Sequence, residues 1–383
     1  MPLPHAMKLV PITNKRLRKM IQKAIAKPMF EIGKNAKYDF KQLTDLPIAA
    51  ALENRSVENQ SLETGRVSAD NFYYHFKNKL KLGVIQALFS DHILQIKRIL
   101  KEKNLLHDRL IIALDKTEEL FWGEINNPFV TGGKREASTN YAFRYLTAAV
   151  VLQGQRFFFH IKPLTEKDDN DALLVEECLD ELRKLGFKVG TLLMDREFFN
   201  GTIFLICNAQ KIEYIVPAVK NERFQSKVKE IRREKKSFPR IIENYEVAQE
   251  VTNLILYEEK NNKGDMEVFG FVTNIDAWEI SEDVSMIIEL YRMRWGIENA
   301  HKFEDDFKIS TNSTDGIIRF FFFLLGVILH NFWVLLNLLA ASFGALKISL
   351  DVMKDILKAV YGFCEVKSYK HPQRELWVKI LIG

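Results

Sequence analysis

Three acidic residues stand where chemistry could be built. Asp115 closes the apolar run RLIIALD, and Asp195 closes VGTLLMD. Both runs read as buried strands, and strand ends in α/β sheets are where sites assemble. The third acid, Glu298, lies in YRMRWGIENAHK, residues 291–302. At ~100° per helical residue, Tyr291, Arg294 and Glu298 fall within about 60° of one another, and Lys302 keeps the stripe. Three carboxylates can hold two Mg²⁺ or Mn²⁺ ions ~3.5–4 Å apart and leave positions open for substrate. One ion activates an attacking oxygen and the other stabilises a leaving oxygen, which is what phosphodiester cleavage without a covalent cofactor needs. The competing reading is structural. A strand-end acid can be a helix cap, and Arg294–Glu298–Lys302 can be an i,i+4 ladder worth ~0.2–0.5 kcal/mol per pair.

The elements around these acids predict a mixed α/β sheet. YAFRYLTAAVVLQ (141–153) and QRFFFHIKPL (155–164) read as strands joined by a turn at Gly154. DALLVEECLDELRKLGF (171–187) has its apolar residues at helical spacing. A helix around Thr202–Ala209 and the strand KIEYIVPAV (211–219) follow, giving the order β-β-β-α-β-α-β. Residues 220–240 carry nine Lys/Arg against three acids, and 220–275 reads as a β-rich basic insertion. Ser281, with Glu282 and Asp283 in the first turn, opens a helix to about Lys308 that carries the third acid.

The first 105 residues read as helical. Residues 8–37 carry nine Lys/Arg and one acid, either a solvated face or a phosphate-contacting arm. In 56–80, Gly65 can end one helix, and Ser68 or Asp70 can cap a second bearing Asn71, Tyr74 and Lys77. That is the plan of a helix-turn-helix, and equally of an ordinary helical hairpin. From residue 317 to 346 the chain is apolar enough to span a bilayer, but His330, Asn331 and Asn337 interrupt it and Arg319 guards its entrance. A helix buried in a large protein is the favoured reading, and no membrane is expected. Residues 347–383 read as a C-terminal helical tail.

A chain of 383 residues suggests two to three domains at roughly 150 residues each. With 47% hydrophobic and 27% charged residues it can bury a large core. Net charge is only +5, so the distribution of charge matters more than its total. Three scattered cysteines exclude a disulfide framework and suit a reducing cytoplasm. No His or Cys pair has zinc spacing and no Gly-rich loop follows a strand, so neither zinc nor ATP is expected.

These residues together resemble the DDE insertion-sequence transposases of the cut-and-paste type. Their third acid lies in a Tyr-x2-Arg-x3-Glu-x6-Lys signature, matched by Tyr291, Arg294 and Glu298. Their first acid ends strand one, as Asp115 does in IIALDKTEE, and their second precedes Arg, as in Asp195-Arg196 of LLMDREFFNG. The resemblance covers about residues 40–345. It implies a ribonuclease H-like catalytic core in two parts, 106–219 and 276–346, around the insertion. It further implies metal ligation by Asp115, Asp195 and Glu298, and cleavage at element ends followed by strand transfer into target DNA. Arg294, Arg196 and Lys302 would contact phosphates, and Tyr291 and Trp295 would position or stack on DNA. The partners implied are double-stranded DNA, as terminal inverted repeats and target, and a second copy of the chain in the DNA complex. The setting implied is a prokaryotic cytoplasm, at the nucleoid. Two positions depart from the pattern. Position 305 is Asp where the signature Lys belongs, leaving Lys302 as the base on the stripe, and Glu197 stands where a small residue is common. A DNA-binding derivative with an impaired centre is the alternative that Asp305 raises.

Overall fold

The computed structural model describes residues 37–361 apart from 124, 137, 153–154, 262 and 343–347. Within its helices and strands, some side chains, those of 295–305 among them, are also outside the described set. The basic arm before Lys37, the turn at Gly154 and the tail beyond Tyr361 therefore lie outside the described residues. The chain divides into two units, one spanning residues 97–302 and one formed by the segments before and after it.

The 97–302 unit is built on one nine-stranded sheet. Its strands are β1 (Leu110–Phe121), β2 (Val130–Glu136), β3 (Thr139–Leu152), β4 (Gln155–Pro163), β5 (Val189–Met194), β6 (Glu213–Pro217), β7 (Arg240–Val247), β8 (Glu250–Lys260) and β9 (Met266–Thr273). The order is β2-β3-β1-β5-β6-β9-β8-β7, with β4 also paired to β3. Only β1–β5 and β5–β6 are parallel. This is the mixed sheet expected, with β2 added.

Residues 220–275 do not stand apart from that sheet. β9 pairs antiparallel with β6, Val216 opposite Val272, so β7–β9 extend the same layer. The segment, read as β-rich, also opens with a helix, Glu222–Arg233. Asn221 caps it by accepting from the Phe224 amide, and Phe224, Val228 and Ile231 form its buried stripe. The helix Asp171–Lys184 is capped by Asn170, which accepts from the Ala172 and Leu173 amides. It stops at Gly186, whose φ of 73° is the left-handed conformation a glycine adopts without strain. The helix Gly201–Ala209 begins on a glycine for a steric reason. A Cβ there would meet the Val247 carbonyl oxygen at 2.8 Å.

The outer segments form a helical unit. Its helices include Phe40–Glu53, Val57–Thr64, Ala69–Lys79, Gly316–Ser342 and Leu350–Tyr361, and Leu82–Glu102 begins in it. The apolar helix Gly316–Ser342 lies at the core of this unit. Phe322 stacks on Phe72 and Phe321 packs on Phe76. Among the described residues one stretch, Gly316–Leu339, is long and apolar enough to cross a membrane, but 89% of its most apolar window is buried. Of the polar residues in and beside it, Asn331, Asn337 and Arg319 are paired inside the unit. Asn331 Nδ2 lies 3.4 Å from His92 Nε2, Asn337 accepts from the Ile348 amide, and Arg319 donates to the Ser313 carbonyl. Buried polar groups satisfied by protein partners are the mark of a protein core.

The expected helix pair is present. Val57–Thr64 ends at Gly65 (φ 60°), and Ser68 caps Ala69–Lys79 by accepting from the Asn71 amide. Asn71 is half-buried and its side-chain amide donates to Ser68 Oγ beside the cap. Tyr74 and Lys77 are exposed.

Candidate active site

The register of the parallel strands brings the first two acids together. Leu114 of β1 is opposite Met194 of β5, the last pair of that ladder. Asp115 and Asp195 are the next residues on each chain, so both leave the ladder at the same level. Sequence reasoning placed Asp115 at the end of its strand, but β1 continues to Phe121. The reason is a change of partner: beyond Leu114, β1 loses β5 and stays paired with β3, where Asp115 faces Thr147. Asp195 does end its strand. Its Oδ1 accepts from the Arg196 amide at 2.6 Å and starts a short 3₁₀ turn, Arg196–Phe198, whose Phe198 is buried.

The third element is the helix Val284–Asp305. It starts three residues later than expected. A short helix, Ala277–Glu282, precedes it and breaks at Asp283, whose carboxylate accepts from the Ser285 amide and hydroxyl. Tyr291 packs its ring on Phe271 of β9, 4.6 Å between centroids, and so seats the helix on the sheet. Arg156 of β4 adds a second tie by donating to the Met293 carbonyl at 2.6 Å and 3.1 Å.

Arg294 then reaches both acids. Its Nη1 is 3.4 Å from Asp115 Oδ1 and its Nη2 is 3.8 Å from Asp195 Oδ1. Its Nε donates to the Tyr291 hydroxyl at 3.0 Å. The Arg294 side chain is only 5% exposed. Burial works against its charge, but Tyr291, Asp195 and Asp115 outweigh that and raise its pKa above the ordinary value. Burial first, with Asp195 and Asp115 adding, pushes the Tyr291 hydroxyl up, so it stays protonated. Tyr291, expected to meet DNA, is thus an internal residue that aims the guanidinium. Glu298 follows four residues after Arg294 in the same helix; its side chain, with those of Trp295 and Lys302, lies outside the described residues.

Lys116, passed over in the sequence, holds the Asp195 turn together with Glu197. Lys116, beside Asp115 but on the other face of β1, is 8% exposed and places Nζ 2.7 Å from Asp171 and 3.3 Å from Glu197. It also lies over the Phe198 ring, 5.1 Å from its centroid. Glu197, the departure from the family pattern, is therefore half of an ion pair that ties the Asp195 turn to β1. Burial raises its pKa, against the opposing pull of Lys116. Strict alternation along IIALDKTEE is the signal that separates Lys116 from Asp115. Arg196 is exposed.

Asp115 and Asp195 supply two hard oxygen donors that converge on one buried cation, a fit for a divalent ion. Among the described residues no group of three His, Cys, Asp or Glu forms a metal set.

The family model for the transposase DDE domain matches residues 108–332, more than half of the chain. The chain belongs to the DDE transposase family. The match begins just before β1 and extends into the apolar helix Gly316–Ser342. The transposase also has the fold of a solved relative, the piggyBac transposase synaptic complex with hairpin DNA. That structure is 13% identical, with a TM-score of 0.59 over 99% of this chain and 87% of the other. The Mos1 strand transfer complex is 12% identical over 52% and 67% of the two chains, with a TM-score of 0.18 that carries no argument. No curated protein matches in sequence. The mixed sheet with flanking helices is the ribonuclease H-like class expected, and the chain is a transposase enzyme of a divalent-metal-dependent family.

Proposed function

We propose that the transposase cuts DNA at the ends of a mobile element and joins the freed strand to target DNA through Asp115, Asp195 and Glu298. The observation that carries this reading is the shared level of Asp115 and Asp195 at the end of the β1–β5 ladder, with one buried guanidinium between their carboxylates. Two Mg²⁺ or Mn²⁺ ions held there would supply activation of the attacking oxygen and stabilisation of the leaving one. The protein's own part is positioning. β1 and the Arg196–Phe198 turn fix the two aspartates, and Tyr291 and Arg156 fix the helix that carries Glu298. Arg196 is exposed beside Asp195 and suits a phosphate, and we assign Lys302 and Trp295 to the same strand. The helices Val57–Thr64 and Ala69–Lys79 would contact duplex DNA, with Tyr74 and Lys77 presented to it. The piggyBac structure is a synaptic complex, which supports two copies acting on paired ends. Retention and convergence of Asp115 and Asp195 favour an active enzyme over an impaired derivative.

The test is strand cleavage of cognate end DNA by single variants. Asp115→Ala, Asp195→Ala and Glu298→Ala should each lower Mg²⁺-dependent cleavage at least ~1,000-fold, about 4 kcal/mol of barrier, with DNA binding retained. A variant that cleaves at a near-normal rate removes its residue from the triad.

A further inference from the structure

All three guanidinium nitrogens of Arg294 have partners inside the site: Nε the Tyr291 hydroxyl, Nη1 Asp115 and Nη2 Asp195. A side chain so engaged and so buried is not presented to a DNA phosphate. Its charge instead stands between two carboxylates that would otherwise repel each other, which is also where a cation bridging them would sit. We propose that Arg294 is a placeholder cation, a positioning residue that occupies the metal position in the DNA-free chain and gives it up when a DNA phosphate takes the guanidinium. This rests on the assignment of Asp115 and Asp195 as metal ligands.

The chemistry follows from like charge. A divalent ion held by Asp115 and Asp195 would meet the buried guanidinium at close range, and like charges repel there. Capture of the ion by the free chain is therefore weak. A backbone phosphate offers Arg294 a bidentate partner in place of two monodentate carboxylate contacts. Moving to it frees the carboxylates and removes the competing charge in one step. Metal and DNA then raise each other's affinity by the same factor, as linkage requires. The Tyr291 hydroxyl sets the balance, because it anchors Nε on the carboxylate side.

Mn²⁺ binding to the full chain without DNA, read from the free-ion paramagnetic resonance signal, tests this apart from activity. Arg294→Gln should bind Mn²⁺ ~10-fold or more tightly than wild type, within the range of ordinary coupling. A non-cognate DNA duplex should tighten Mn²⁺ binding by wild type and leave Arg294→Gln nearly unchanged. Unchanged or weaker binding by Arg294→Gln in the absence of DNA overturns the placeholder role. Should that variant fail to fold, Tyr291→Phe carries the test: a several-fold gain in Mn²⁺ affinity supports the proposal and no gain overturns it. Asp115→Asn separates the two levels of the argument. Mn²⁺ binding that survives Asp115→Asn refutes the ligand assignment itself. Binding lost in Asp115→Asn but not tightened in Arg294→Gln refutes the placeholder alone.

Discussion

Replacing Lys116 by Met tests whether the Asp195 turn is held from behind. Met keeps most of the aliphatic stem over Phe198 and removes the ammonium that joins Asp171 to Glu197. Breaking a buried ion pair from one side costs ~3–5 kcal/mol when the stranded charge is fully buried. Here Asp171 and Glu197 are 25% and 36% exposed, so water recovers part of the loss. Asp171 also lies in the first turn of its helix, where the dipole favours an acid. Glu197 can neutralise, because burial already raises its pKa. About 2 kcal/mol of stability should therefore be lost, roughly a 30-fold change in the folded-to-unfolded ratio. Urea unfolding at unchanged m-value reads it. Loosening of the Arg196–Phe198 turn should slow single-turnover cleavage about tenfold, ~1.4 kcal/mol of misplacement at Asp195. The stability deficit should shrink as pH falls toward ~5, since protonated Glu197 needs no cation, and Lys116→Met with Glu197→Gln should recover part of it. A stability change below ~0.5 kcal/mol, the level of an ordinary surface substitution, would refute the reasoning.

In the helix Glu222–Arg233 and the residues after it, Arg223, Lys227, Arg232 and Lys236 already pair with glutamates, whereas exposed Lys229 and Arg233 stand one turn apart. Lys229→Glu with Arg233→Glu should weaken binding to all DNA sequences and flatten the salt dependence by ~0.9 for each phosphate no longer neutralised; an unchanged slope takes this helix off the DNA path. His92 and His160 are buried with pKa values lowered by burial to about 3 and about 4. Each contributes stability that is complete above its unfolded pKa near ~6.5 and is lost as pH falls toward the folded value, at up to ~1.4 kcal/mol per pH unit. His92→Gln should therefore show a shallower fall in stability between about pH 6.5 and 5 than wild type, and parallel curves would contradict the assignment.

Much of the catalytic unit was legible in the chain because its signals are local. The runs ending in Asp115 and Asp195 are apolar enough to be buried strands whatever surrounds them, and Tyr291, Arg294 and Glu298 share a stripe in any α-helix. The stripe Phe224, Val228, Ile231 was equally local but was obscured by the charges around it. What the tertiary structure decided depends on pairing between distant segments. β1 runs past Asp115 because β3 continues beside it where β5 stops, and no periodicity within RLIIALD encodes the length of a neighbour. β7–β9 join the main sheet because β9 meets β6 across the residues between them. The apolar helix Gly316–Ser342 reads the same in a membrane or a core, and only the partners of Asn331, Asn337 and Arg319 choose between them. Tyr291 and Arg294 carry the same ambiguity. A tyrosine and an arginine on a helix look like a DNA-facing pair until Phe271 and the two aspartates are placed beneath them, and burial then turns a surface cation into a counter-ion for the site.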